Sequence, residues 1–564
     1  MLHRPSLALL AGLSLSLLIP ACQSTDQAKE GSTSTEAPQV TQWQLDWADG
    51  RVFYEVFVRS FADSDGDGVG DLQGLIDRLD YLNDGDPATT DDLGVGGLWL
   101  MPIFESPSYH GYDTVDYSTV DREYGTVEDF ERLAVEAEKR GMKIVLDFMI
   151  NHSSREHPWF QASASSPEDP KRDWYLWREE DPGWTQPFGD ESGGNVWHEL
   201  NGAYYYGVFW AGMPDLNFRN PEVVSEIQRL ASLWIDRGAA GFRLDAARHL
   251  VEDGPGQAQN STPGTHRVLR ELSSHLREGH PGALLLGECW TDLERIAAYY
   301  GSDELIRGGD ELPMLFNFPL SYALMEAVAE ADSGAVRETL AAMDAQFPAG
   351  ALHAPFLTNH DQNRVATTLH RGDGLDDLRL RLAAALLLTQ PGTPFVYYGE
   401  EVGLSNGIQE GWDRDPAKRT PMPWSAEAGG GFTTAEEPWH PFSPGKESAN
   451  VAAQIGDEGS LLSWYRRLIH LRNAHPALGR GEIQLLKAPS SVLAYVLEHE
   501  EQRLLVAHYL SVDQNAAVVG LEVSADALPE PLLAINGERA ELSTEGRLVV
   551  SLGPGASGVW RLRS

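Results

Sequence analysis

Thr126-Val127-Glu128-Asp129-Phe130 opens a stretch that runs to Gly141 and continues into Lys143-Ile144-Val145-Leu146-Asp147-Phe148. Thr126 and Asp129 have the spacing of a capping box, Phe130, Leu133, Ala134 and Ala137 fall on one face, and Gly141 is a stop signal. The β-branched run that follows reads as a buried strand. This helix-then-strand unit recurs on both sides. Strand candidates stand at 52–58, 97–102, 143–148, 241–245, 284–288, 315–318, 356–359 and 394–398. A second helix starts with Asn220 as cap and Pro221 in its first turn, presents Val224, Ile227, Leu230, Ala231 and Trp234, and ends at Gly238. Eight strands with helices between them predict an α/β fold, a closed (β/α)8 TIM barrel, with its functional residues on the loops at the carboxyl ends of the strands.

Residues 153–219, rich in aromatics and glycine, are far too long for an ordinary βα loop and predict an inserted subdomain after the third strand. The barrel then takes 46–152 and 220–478. After a helix at 461–472 the pattern shifts to short alternating segments, which predicts a C-terminal antiparallel β-sandwich domain over 479–564.

Residues 2–19 carry Arg4 and an apolar run from Leu7 to Ile19, the layout of an export signal and too short for a permanent span of about 20 residues. The end, Leu18-Ile19-Pro20-Ala21-Cys22, resembles a bacterial lipoprotein signal, with Pro20 a departure from the usual pattern. That resemblance implies a signal peptide over 1–21, a lipid on Cys22 and an outer-membrane or cell-surface address; simple secretion is the alternative. Polar residues 22–45 read as a flexible tether. With only Cys289 left, a lipidated Cys22 rules out an intramolecular disulfide.

The 564 residues are 42% hydrophobic and 23% charged, enough apolar surface for a large core. Lys and Arg number 43 against 84 Asp and Glu, a formal net charge of −41. That charge repels phosphate backbones and anionic lipid, so nucleic acid is excluded as a main partner.

Three acids follow predicted strands: Asp245 in Gly241-Phe242-Arg243-Leu244-Asp245, Glu288 in Leu286-Gly287-Glu288, and Asp361 in Thr358-Asn359-His360-Asp361. Asp147, Asn151 and His152 follow the third strand. Arg243 shares the strand face of Asp245 and can hold a carboxylate ionised. A pair of carboxyl groups flanking one bond, one nucleophilic and one kept protonated, is the apparatus of retaining glycoside hydrolysis.

Asp147-Phe148-Met149-Ile150-Asn151-His152, Gly241 to His249, Gly287-Glu288-Cys289-Trp290 and Phe356 to Asp361 together resemble, in order, the four signatures of the α-amylase superfamily, glycoside hydrolase family thirteen. The resemblance covers the chain from about 47 onward. It implies Asp245 as nucleophile, Glu288 as general acid/base and Asp361 as transition-state stabiliser. It also implies an α-glucan substrate bound by His110, Tyr112, His152, Arg243, Arg248, His249 and His360; Trp290, just beyond Glu288, reads as a sugar-stacking tryptophan. Met213-Pro214-Asp215-Leu216-Asn217 resembles a fifth signature, of a subgroup between oligo-1,6-glucosidases and neopullulanases. Exo-acting relatives usually carry an acid three residues before the stacking tyrosine; here it is Tyr109. With Ala246 after the nucleophile, this favours an endo-acting α-amylase on α-1,4 bonds. An α-glucosidase, a cyclomaltodextrinase or neopullulanase-like enzyme, a transglycosylase, and a noncatalytic glucan-binding lipoprotein are the alternatives. The loop 63–71 resembles the family's calcium loop, implying Ca2+ on Asp63, Asp65, Asp67, the Val69 carbonyl and Asp71. A second ion would use Asn151 and the His249 carbonyl. Arg414, Asp415 and Arg419 read as loop wall, and His157, His198 and His266 have no assigned partner.

Overall fold

The computed structural model describes residues 40–188, 193–409, 414–523, 528–534, 538–542 and 548–562. The signal over 1–21, Cys22 and the tether up to residue 39 lie outside the described residues. The described residues from Thr41 onward belong to the compact unit Thr41–Ser564.

Eight parallel strands form one sheet: β1 Phe53–Val56, β2 Gly97–Leu100, β3 Lys143–Phe148, β4 Gly241–Leu244, β5 Leu284–Gly287, β6 Met314–Phe316, β7 Leu352–Ala354 and β8 Phe395–Tyr397. Their order is β7-β6-β5-β4-β3-β2-β1-β8. The ring is completed by an isolated parallel bridge between Phe356 and Phe395. Strand seven therefore differs from the sequence reading: it lies at Leu352–Ala354, and the apolar segment 356–359 follows it. Pro355 offers no N–H to a ladder, so regular pairing stops there. Phe53, Trp99, Leu286, Phe316 and Phe395 fill the barrel interior.

The helix Val127–Lys139 carries both halves of its capping box and buries Phe130, Leu133 and Ala137, with Ala134 only half-buried. Helix Pro221–Asp236, capped by the Asn220 side chain, buries Val223, Ile227, Leu230, Ala231 and Trp234. Val223 replaces the expected Val224, because 223, 227, 230 and 234 lie in one 3.6-residue stripe. Trp234 meets Phe130 edge to face at 5.2 Å, and each such buried aromatic stabilises the fold by roughly 2–3 kcal/mol.

The insertion holds the helix Pro158–Ser165 and a small antiparallel sheet of Trp177–Arg178, Ala203–Tyr206 and Trp197–Leu200. A bridge between His152 and Asp215 ties it back to the end of β3. Beyond residue 480, a five-stranded and a three-stranded antiparallel sheet bury Val496, Leu505, Val550 and Trp560. The expected tether ends before 45. Gln42 Nε2 donates to the Leu305 carbonyl at 2.8 Å, Gln44 N–H to that of Pro281 at 2.8 Å, and Leu45 is buried. Two large apolar side chains, Trp43 and Leu45, find cover there.

Candidate active site

Arg243, on β4 and fully buried, is the hub of the site. Its Nη1 lies 2.8 Å from Asp147 Oδ1 and 2.7 Å from Asp245 Oδ1, and its Nη2 lies 2.9 Å from Glu288 Oε2. The parallel register sets Asp147 of β3 beside Arg243 and Leu286 of β5 on its other side. Alternation along the strands then turns Asp147, Arg243 and Asp245 inward together. Three carboxyl groups from three strand ends thus share one guanidinium.

Ala246, directly after Asp245, has φ of 49°, a left-handed conformation costly for alanine. The turn aims its N–H at Glu288 Oε2, 3.1 Å away, so local strain links the two acids. Burial raises Glu288 most. Arg243 opposes this, Asp245 and Asp361 add to it, and the carboxyl comes to about 7. Asp147 is likewise raised, mainly by burial, to about 6.

Asp361 has the opposite environment. Burial alone would raise it, but His360, then Arg419 and Arg243, hold its carboxyl well below the usual range. His360 Nε2 is 3.2 Å from Asp361 Oδ2, and Arg419 Nη2 is 2.9 Å from Oδ1. Arg419, expected as loop wall, is buried and touches the site directly; it also reaches Asp415 at 3.5 Å. Tyr112 joins the two halves of the pocket: its Oη lies 2.7 Å from His360 Nε2 and 3.1 Å from Asp147 Oδ2. Its ring stacks on His360 at 5.6 Å.

The remaining expected residues also have places. His152 is buried, with Nε2 3.2 Å from the Tyr112 carbonyl; burial lowers its pKa. His110 Nδ1 accepts the Tyr112 N–H at 3.1 Å, fixing the turn that presents Tyr112. Arg248 Nη1 donates to the Trp290 carbonyl at 2.5 Å. Trp290, 42% exposed, lies flat on Phe318 at 4.7 Å, a platform just past Glu288. Burial and then Arg248 lower His249 to about 4, and its ring faces Phe188 and Phe209. His157 caps a helix by accepting the Trp159 N–H, His266 pairs with Glu311 at 2.7 Å, and His198 Nε2 lies 3.0 Å from the Gly207 carbonyl.

In the loop after β1, carboxylate oxygens of Asp63, Asp65 and Asp71 lie within 4.8 Å of one another. Asp67 stands outside that group and accepts the Val69 N–H at 2.8 Å. Slight desolvation and the carboxylates of Asp67, Asp63 and Asp71 raise Asp65, against the Asp67 N–H that it accepts at 3.1 Å. An all-oxygen anionic set of this kind suits a hard divalent cation. Near His249, Asn151 Oδ1 and Asp215 Oδ2 are both buried and lack a hydrogen-bond partner, while burial pushes Asp215 well above the usual carboxylate range. The Asn151 side chain interacts with Asp215, and a carboxamide and a carboxylate with buried, unpartnered oxygens also suit an oxygen-seeking cation. Asp215 was visible in the sequence only as part of a subgroup motif.

Charge placement defines what the pocket can do. Glu288 is poised to give a proton near neutral pH, Asp245 lies across the same guanidinium, and Asp361 is held ionised, which is the division of labour for breaking a glycosidic bond through a covalent intermediate. The model of the α-amylase catalytic domain family matches residues 55–481. Alpha-amylase 3 of Dictyoglomus thermophilum is 40% identical over 477 residues, covering 83% of this chain and 86% of that protein. A trehalose synthase of Pimelobacter sp. is 35% identical, over 80% and 84%. The crystal structure of the α-amylase from H. orenii superposes with a TM-score of 0.81 at 35% identity, covering 91% of this chain and all of that one. With barrel, carboxylate cluster and relatives in agreement, the chain belongs to the α-amylase family of glycoside hydrolases.

Proposed function

We propose that the protein is an endo-acting, retaining α-amylase that cleaves α-1,4 bonds in starch and maltodextrins. The observation that carries the reading is the guanidinium of Arg243 holding Asp245 and Glu288 together. Asp245 attacks the anomeric carbon as Glu288 protonates the departing oxygen, and Glu288 then deprotonates the water that frees the sugar. Asp361 and His360 grip the ring hydroxyls as oxocarbenium character develops. Endo action is supported by position 109. A tyrosine stands there, its ring stacked on Trp439 at 5.6 Å, while Arg419 turns to Asp361 and Asp415. No carboxylate from that position closes the nonreducing end.

The product profile from soluble starch over time tests this. Early viscosity loss with a ladder of maltooligosaccharides is expected. Glucose from the first minutes, or trehalose from maltose, would move the assignment to another member of the family.

Calcium belongs to the same reading as a structural ion: Asp63, Asp65 and Asp71 would hold one, and Asn151, Asp215 and the His249 carbonyl a second, tying the insertion to the barrel. Export and lipid attachment at Cys22 complete the proposal, supported by the signal over 1–21. Globomycin-sensitive processing and labelling by radioactive palmitate test it.

A further inference from the structure

Glu55 lies in the middle of β1, fully buried, where an apolar side chain would pack at no electrostatic cost. Its Oε1 stands 2.6 Å from His360 Nδ1 and also takes the His360 backbone N–H at 3.4 Å. His360 in turn lies between Tyr112 and Asp361 through Nε2. We propose that Glu55 is a positioning residue: by accepting the Nδ1 proton it keeps His360 doubly protonated, so that Nε2 donates to Tyr112 and Asp361. The proposal rests on the reading of Asp361 and His360 as the groups that grip the sugar ring.

The direction of one hydrogen bond then sets the rest. With Nε2–H donating, the Tyr112 oxygen accepts, and its own O–H is free to donate to Asp147 Oδ2 at 3.1 Å. Asp147 passes the arrangement to Arg243, and Arg243 to Asp245 and Glu288. A neutral His360 protonated on Nδ1 reverses the first link. Tyr112 then donates to His360, Asp147 loses a donor, and Asp361 loses the cation beside it.

The charges around the ring favour the cation. Glu55 and Asp361 face it from opposite sides, and Asp147 lies beyond Tyr112. Against them stand Arg243 and Arg419, the latter spending its Nε on the His360 carbonyl at 3.2 Å. Glu55 itself is faced by Tyr397 and Glu400. Burial disfavours the imidazolium, but Asp361 and Glu55 outweigh it and bring His360 to about 9. A residue that fixes the orientation and stabilises the imidazolium of a functional histidine acts on turnover more than on binding, as the serine-protease aspartate does.

The test compares wild type, Glu55→Gln, His360→Asn, the double variant and Asp361→Asn on maltooligosaccharides between pH 4 and 9. Glu55→Gln is expected to lower kcat on the order of tenfold or more with KM within about twofold, as for other residues that hold a functional histidine in its working protonation state. Its alkaline limb should move to lower pH, since His360 without the Glu55 carboxylate gives up its second proton more readily. In the His360→Asn background the same change should add nothing. NMR of labelled histidine in the wild-type protein should find His360 protonated on both nitrogens at pH 7. A neutral His360 at pH 7, an unmoved alkaline limb, or full additivity with His360→Asn overturns the proposal. An active Asp361→Asn enzyme overturns instead the reading on which it rests.

Discussion

Arg243 Nη2 stands 2.9 Å from Glu288 Oε2, yet the carboxyl it touches is raised to about 7. Burial exceeds the effect of a guanidinium whose charge is already divided among Asp147, Asp245 and Glu288, and the neighbouring Asp245 and Asp361 push the same way. One cation shared three ways thus leaves Glu288 able to carry a proton near neutral pH. Glu288 donates only when protonated, so kcat/KM should fall as pH rises through about 7. Stability follows the same sign: a carboxyl raised in the folded state contributes fully below its unfolded pKa and loses that contribution as pH climbs through about 7. A pH–rate profile with no alkaline limb between about 6 and 8 would contradict the role of Glu288.

Asp245→Asn, Glu288→Gln and Asp361→Asn should each lower kcat by roughly a thousandfold or more, measured on a chromogenic maltooligosaccharide. Their stabilities should differ. Asp361 balances the buried Arg419 and His360, so its replacement should cost about 1–3 kcal/mol, while Glu288→Gln should be nearly neutral. Chemical denaturation separates the two.

Tyr109→Asp places a carboxylate near Arg419, whose positive charge Tyr109 already faces. The pocket should then close at its nonreducing end. Chromatography of early products should find glucose and short sugars gaining on long maltooligosaccharides; an unchanged ladder argues that position 109 does not set the cleavage mode.

Chelation should lower the Tm of the wild type by several degrees, an effect of about 1–3 kcal/mol for a protein that binds its ion well above the dissociation constant. Asp65→Asn relieves the carboxylate crowding in the loop after β1. It should therefore shrink the difference between calcium-loaded and chelated Tm. Identical melting curves with and without chelator remove calcium from the proposal.

Ala246→Gly should stabilise the fold by up to about 1 kcal/mol, because glycine adopts the φ of 49° without the Cβ clash. Turnover should fall modestly if that strain aims the N–H at Glu288. Equilibrium unfolding and kcat on the same preparation read both.

Much of this was legible in the residues. Thr126 and Asp129 predicted a capping box that forms with both of its hydrogen bonds, and the acids after strands four and five are gathered on Arg243. Asp245, Glu288, Asp361 and Arg243 could be found because each follows or interrupts an apolar run. Strand seven was misplaced because Leu352-His353-Ala354 is a weak β signal while Phe356-Leu357 beyond it is strongly apolar; burial in the pocket wall and burial in a ladder look alike in sequence. Glu55 was invisible for a different reason. A lone acid inside a buried strand has its meaning only through His360, more than three hundred residues away in the chain. Arg419 read only as loop wall because its partners His360 and Asp361 stand almost sixty residues before it, and Asp215 showed only through the subgroup motif Met213 to Asn217.

The barrel is stitched unevenly. Between β7 and β8 the ring is held by the bridge at Phe356 and Phe395 and by two backbone hydrogen bonds, Thr393 to His353 and Phe395 to Pro355, both 2.9 Å. Pro355 and Pro394 face this join and neither carries an amide proton, so it cannot be laced further. The loop bearing His360 and Asp361 springs directly from that seam. Heat or denaturant that first loosens the cylinder there would release the grip on the sugar before the bulk of the fold gives way, making loss of activity an early herald of unfolding.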